Sequence, residues 1–175
     1  MEADWEVEIG GGAPVIEAEW PGLIDLWSDP KRAGERIAEI DEATSFPALG
    51  ALLLALNADG SPLWTSKCDV WTPEPAALAI YVDMLPRAGK AFARWQLAAA
   101  FCGDYVAQLA RYAPPKLNLE YSLNFVVRQA IAGEVDGFGV TAYLSARASC
   151  RADAEAALAT IMAAFADALA PAMPG

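Results

Sequence analysis

Two runs of residues decide how this chain folds: Leu117-Asn118-Leu119-Glu120-Tyr121-Ser122-Leu123-Asn124-Phe125-Val126-Val127-Arg128, and Gly137-Phe138-Gly139-Val140-Thr141-Ala142-Tyr143-Leu144-Ser145-Ala146-Arg147. Successive side chains of a strand point to opposite faces, so each run sorts into two sets. Leu117, Leu119, Tyr121, Leu123, Phe125 and Val127 form the apolar set of the first, leaving Asn118, Glu120, Ser122, Asn124 and Arg128 on the other side. In the second, Phe138, Val140, Ala142 and Leu144 oppose Thr141, Tyr143, Ser145 and Arg147. For both apolar sets to share a core, odd positions of the first strand must pair with even positions of the second. A register centred on Ala132-Gly133 does this, with Ser122 opposite Tyr143 and Asn124 opposite Thr141. A slip of two residues places Glu120 opposite Arg147 and keeps the same parity. Either way one sheet face is polar.

The preceding segment extends that face. Leu63 to Trp71 and Leu78 to Leu85 read as two further strands around the turn-rich Thr72-Pro73-Glu74-Pro75. Thr65, Lys67, Asp69 and Trp71 alternate with Trp64, Ser66, Cys68 and Val70, and Tyr81 and Asp83 oppose Ile80 and Val82. If the polar sets are coplanar, Lys67, Asp69, Tyr81, Asp83, Asn124, Arg128 and Tyr143 share one surface. There Arg128 and Lys67 would hold an anionic group, with Asp69 or Glu120 as acid or base. An ordinary solvated sheet face would carry the same pattern. Cys68 reads as core, because strand neighbours such as Lys67 point the opposite way and cannot lower its thiol pKa.

Further out, Trp5, Val7 and Ile9 alternate with Glu6 and Glu8, and Gly10-Gly11-Gly12-Ala13-Pro14 turns the chain toward a strand at Val15 to Ala18, which reads as a hairpin. Ile37 and Ile40 among charges suggest an exposed amphipathic helix. Leu49, Leu52, Leu53 and Leu56 mark a helix from Pro47 to Leu56, with Ser45 as a candidate cap. A long helix is expected from Ala88 to Tyr112, closed by Pro114-Pro115. A last one, from Arg151 to Ala170, carries Leu158, Ile161, Met162, Phe165 and Leu169 on one stripe, with Ser149 as its N-cap. Neither the glycine triplet nor Gly89-Lys90 satisfies a phosphate-loop pattern, since no Lys-Ser or Lys-Thr opens a following helix. Trp20, Trp27 and Trp71 adjoin prolines or turns, where indoles form either a binding platform or core and interface packing.

The expected class is α+β: one domain over residues 1–175, with a mostly antiparallel sheet built from three hairpins and helices packed on one face. Its 175 residues suit a single core, and 20% charged residues interrupt any membrane span of about 18 residues. A net charge of −11 opposes a phosphate backbone, which argues against nucleic acid. The acidic opening Met1-Glu2-Ala3-Asp4 is unlike a secretory signal, so cytoplasmic residence is expected. Cys68, Cys102 and Cys150 are spaced for neither a disulfide framework nor zinc, and are expected as reduced, mostly buried thiols. Neither a metal nor a cofactor is expected.

The chain has no histidine, which removes the commonest general base and any Ser-His or Cys-His pair. The first expectation is therefore a non-enzymatic binding or accessory module, with a homodimer among its states, that uses the polar sheet face to hold a protein partner. The alternative is a histidine-free enzyme or small-ligand binder that recognises an anionic small molecule through Arg128 and Lys67.

Overall fold

The computed structural model describes residues 3–112 and 120–169, which leaves Leu117, Asn118, Leu119 and the Pro114-Pro115 helix stop outside the described residues. Six strands form one sheet: β1 (Asp4–Val7), β2 (Val15–Glu17), β3 (Leu63–Trp71), β4 (Ala77–Pro86), β5 (Glu120–Ala132) and β6 (Val135–Arg147). The helices are α1 (Ala33–Ile37), α2 (Asp41–Ser45), α3 (Pro47–Asn57), α4 (Trp95–Leu109) and α5 (Arg151–Leu169). The strands lie in the order β1-β5-β6-β4-β3, with β2 also on β5, and every pairing among β3 to β6 is antiparallel. The protein is thus α+β, with α3, α4 and α5 on one face of a mostly antiparallel sheet.

Hairpin β5–β6 takes the second of the two registers: Glu120 pairs Arg147, Ser122 pairs Ser145 and Asn124 pairs Tyr143. Its two-residue turn, Gly133-Glu134, has Gly133 at φ +64, a conformation suited to glycine. Odd positions of β5 meet even positions of β6, so Leu123, Phe125 and Val127 share a core with Val140, Ala142 and Leu144. The helices complete it. Phe125, Phe165 and Tyr105 meet edge to face at 5.2–5.6 Å between ring centroids, and the Tyr105 hydroxyl donates to the Phe165 carbonyl. Asn57, at the end of α3, is fully buried: its amide donates to Leu53 O and Thr65 Oγ1 and accepts the Thr65 N–H at 3.0 Å. That amide ties the end of the helix to Thr65 in β3, and every polar atom it buries is matched.

Four expectations are corrected. Residues 4–17 form no hairpin, because β1 and β2 both run parallel to β5, at Asn124–Val127 and Gln129–Ile131. The glycine run loops out, with Ala13 N–H donating to Gly10 O, and returns the chain to the same edge in the same direction. Polar pairing to β5 accompanies this placement: Glu6 accepts from Asn124, and Glu8 from Arg128. The helix expected from Ala88 begins at Trp95, because Phe92 instead exchanges backbone hydrogen bonds with Phe138 and Arg94 is extended. The amphipathic stretch near Ile37 is broken into a 3₁₀ turn and the short helices α1 and α2. Ser45 ends α2 and caps nothing, since α3 follows Phe46 with no side-chain cap.

Candidate functional site

The helix-free face of the sheet has two halves. Toward β2 it is sealed. Ile16, Ala18, Leu85, Ala91 and Ala130 make a second apolar cluster with Trp64, against which Trp27 packs. Glycine at two β6 positions makes room for this seal. A Cβ on Gly137 would lie 2.7 Å from Phe92 O, and one on Gly139 would lie 2.9 Å from Ile16 Cδ1. Trp27 and Arg87 hold the covering loop, with Arg87 Nη1 donating to Trp27 O at 2.9 Å. Lys90, in the β4–α4 connection, bonds Glu19 at 2.9 Å and lies 4.7 Å from the Trp27 ring centroid.

The other half is open. Register alone places Asp69 opposite Tyr81, Tyr81 opposite Tyr143 and Tyr143 opposite Asn124, a single row across β3, β4, β6 and β5. Rings continue it: Trp71 and Tyr81 are 6.3 Å apart, and Tyr81 and Tyr143 6.1 Å. Beside the row, the Ser122 and Ser145 hydroxyls share a hydrogen bond of 2.8 Å. Four of the seven residues expected on the polar face therefore stand in one line.

Arg128 and Lys67 flank that line without joining as a free cationic pair. Arg128 donates from Nη2 to Glu8 Oε2 at 2.7 Å and from Nη1 to the Tyr143 hydroxyl at 2.9 Å. Burial works against the Arg128 charge, but the bonds to Glu8 and Tyr143 outweigh it and raise its pKa above the ordinary value. Lys67 lies at a β-bulge, where Ser66 and Lys67 together span the level of Asp83. The bulge shifts the alternation, so Thr65 faces the helices with Met84 while Asp69 lies on the open face with Tyr81. The Lys67 ammonium sits 5.4 Å from the Trp20 ring centroid.

Asp83 lies near both cations. It is buried, accepts from Thr141 Oγ1 at 2.6 Å, and has a raised pKa because burial outweighs that bond and the charges of Arg128 and Lys67. Of the carboxylates first considered as acid or base, Asp69 instead accepts the Val70 N–H at 2.7 Å, and Glu120 is an exposed partner of Arg147 at 4.0 Å. Cys68 packs against the helix-side core, and burial, then Glu42, Asp69 and Asp83, push its thiol up to about 12. Cys102 is buried, Cys68 is partly buried and Cys150 is exposed.

Sequence reasoning missed Glu8, Thr141 and the role of Trp20. The alternation of Glu6 and Glu8 is visible, but no local pattern reveals that their strand lies along β5. Next to the open face, between β3, the loop around Trp20 and the α1–α2 junction, lies a cavity of about 430 Å³. Among the described residues, no group of three or more His, Cys, Asp or Glu side chains is placed to hold a metal ion, and no helix is long and apolar enough to cross a membrane.

The class these features define is an α+β protein whose sheet is backed by helices on one side and on the other is half sealed, half open. Compared with known proteins, the chain matches no protein-family model, no curated protein and no solved structure.

Proposed function

We propose that this protein is a non-catalytic binding module that holds a protein partner against the open half of its sheet. The observation that carries the reading is the row Asp69-Tyr81-Tyr143-Asn124, extended by Trp71, which no element among the described residues covers although helices back the opposite face. Tyrosine and tryptophan supply large contact area at low entropic cost, and Ser and Asn supply adaptable hydrogen bonds; that mixture is typical of protein-recognition surfaces. Sheet backbone and paired rings hold these groups in place, so little order remains to be gained on binding.

The partner in this reading is a different chain. The outer strands β1 and β3 each have a carboxylate on the next residue's N–H, Asp4 on Trp5 at 2.8 Å and Asp69 on Val70 at 2.7 Å, which blunts edge-to-edge pairing with a second copy there. A net charge of −11 also opposes self-association. An anionic small molecule at Arg128 and Lys67 is the less favoured reading, since it would have to displace Glu8 from Arg128. Unpaired thiols at all three cysteines support the expectation of a reducing, cytoplasmic setting.

The test is comparative affinity capture from the source cell's lysate, using wild type, Tyr81→Ser/Tyr143→Ser, and Thr160→Ala on the far side as control. The reading expects one protein retained by wild type and control and lost by the double variant, with all three melting cooperatively. Equal retention by all three, or none by wild type, overturns it.

A further inference from the structure

We infer that the cavity between β3, the Trp20 loop and the α1–α2 junction is a binding site for an organic cation, an ammonium or guanidinium group carried on an apolar body. The inference goes beyond the partner reading. It concerns a separate concavity that shares Lys67, Asp69 and Tyr81 with the open face.

Size and shape come first. A volume of about 430 Å³ lies in the range of small-ligand sites, and Ile24, Leu26 and Leu53 give the walls an apolar part. Charge then selects the ligand. Glu39, Asp41, Glu42 and Asp69 line the cavity against a single cation, Lys67. Two other wall residues, Cys68 and Tyr81, are each pushed up to about 12 by burial first, and of the lining carboxylates Glu42 and Asp69 add to this at Cys68 and Asp69 at Tyr81. An anion entering here would meet the same repulsion, whereas a cation would relieve it.

Aromatic geometry points the same way. The ring of Trp20 already has a cation over it, the Lys67 ammonium at 5.4 Å, so the protein's own side chain occupies the position that an organic cation would take. Tyr81 supplies a second ring on the wall. Ser66 Oγ and Trp20 Nε1, both of residues in this lining, have no hydrogen-bond partner among the described residues, so the wall offers a hydroxyl that can accept from an ammonium or guanidinium N–H and an indole N–H that can donate to a polar group on the ligand's body. A second cavity of about 560 Å³ shares Asp41, Glu42 and Asp69, so the carboxylates form a ridge reachable from both sides, and a guest longer than one amine can extend past them.

Lys67 makes the idea testable by sign. If the site took an anion, losing Lys67 would weaken binding; if it takes a cation, losing this competing charge strengthens it. The experiment is isothermal titration of the intact protein with benzylammonium, benzyl alcohol and benzoate, which keep one ring and change only the charge, repeated on Lys67→Gln, Asp69→Asn and Glu42→Gln. Benzylammonium should bind about tenfold more tightly than benzyl alcohol, with benzoate silent. Lys67→Gln should tighten benzylammonium by about fivefold, and Asp69→Asn and Glu42→Gln should each loosen it by a similar factor, more at low salt than at high. Thermal melts check that each variant is folded, and the two acidic variants give independent readings should either fail. Blocked arginine amide and a short basic peptide extend the series. Tighter binding of the peptide would identify the cation as a side chain of a protein, and tighter binding of the free amine as a small metabolite. Benzoate binding as well as benzylammonium, weaker binding in Lys67→Gln, or no heat from any cation overturns the inference.

Discussion

Glu8, the residue directly after β1, and Arg128 on β5 are joined by two hydrogen bonds to one carboxylate oxygen, 2.7 Å from Nη2 and 3.2 Å from Nε, and this pair pins the end of the first strand to the sheet. The Arg128 side chain is 13% exposed and that of Glu8 46%, so solvent screens the pair from the Glu8 side only. Arg128→Ala would leave Glu8 and the Tyr143 hydroxyl without their donor and is expected to lower stability by about 2 kcal/mol, the scale of a hydrogen bond to a charged group. Hydrogen exchange should localise the loss to residues 4–17. Unchanged stability and exchange would show that β1 is held without the pair.

Asp83 gives a pH-dependent signature. Its folded-state pKa is raised above the unfolded value of 3.8, mainly by burial, so the folded protein binds the proton more readily than the unfolded chain. The ionised carboxylate therefore costs stability at neutral pH, and the cost disappears as pH falls through the raised pKa toward the unfolded one. Asp83→Asn keeps an acceptor for Thr141 and removes the charge. It should be more stable than wild type by about 1 kcal/mol at pH 7, an advantage that shrinks as pH falls through the raised pKa and vanishes only below the unfolded value of 3.8, in parallel denaturant titrations. A less stable variant at pH 7 would mean that Arg128 and Lys67, not burial, dominate at this carboxylate.

The glycines of β6 are expected to be intolerant for lack of space. Gly137→Ala would press its methyl against the Phe92 carbonyl, a backbone atom fixed by the bridge to Phe138. It should lose about 2 kcal/mol by the usual cost of overpacking, while Gly11→Ala, with nothing within 4 Å, should change the thermal midpoint little. Equal effects at the two positions would contradict the close approach that seals this half of the face.

Much of this architecture is legible in the sequence where one face of an element is buried. Strand β3 spans the expected Leu63–Trp71, α3 and α5 carry the expected stripes, and the odd-to-even pairing of β5 with β6 follows from burying Phe125 with Ala142. Periodicity fixed parity but left two registers open. The rest depends on partners distant in sequence. Trp5, Val7 and Ile9 alternate as a strand should, yet nothing local says that their neighbour is β5, more than a hundred residues away. The bulge at Ser66–Lys67 is equally silent, and it moved Thr65 off the face that strict alternation assigns it. Residues 88–94 look helical because alanine is common there, but the Phe92 backbone is used by Phe138 instead. The row Asp69-Tyr81-Tyr143-Asn124 was within reach, since parity and register together suffice for it. Glu8 and Trp20 were not, because each reaches its cation from a different part of the chain.

The most direct measurement of the central proposal is site-specific photo-crosslinking in the source cell, with the photoreactive residue placed at exposed Ser122, beside the tyrosine row, or at exposed Thr160 on the opposite side. Binding through the open half of the sheet predicts one discrete adduct from position 122 and none from position 160. Adducts of the same mass and yield from both positions, or from position 160 alone, would contradict it.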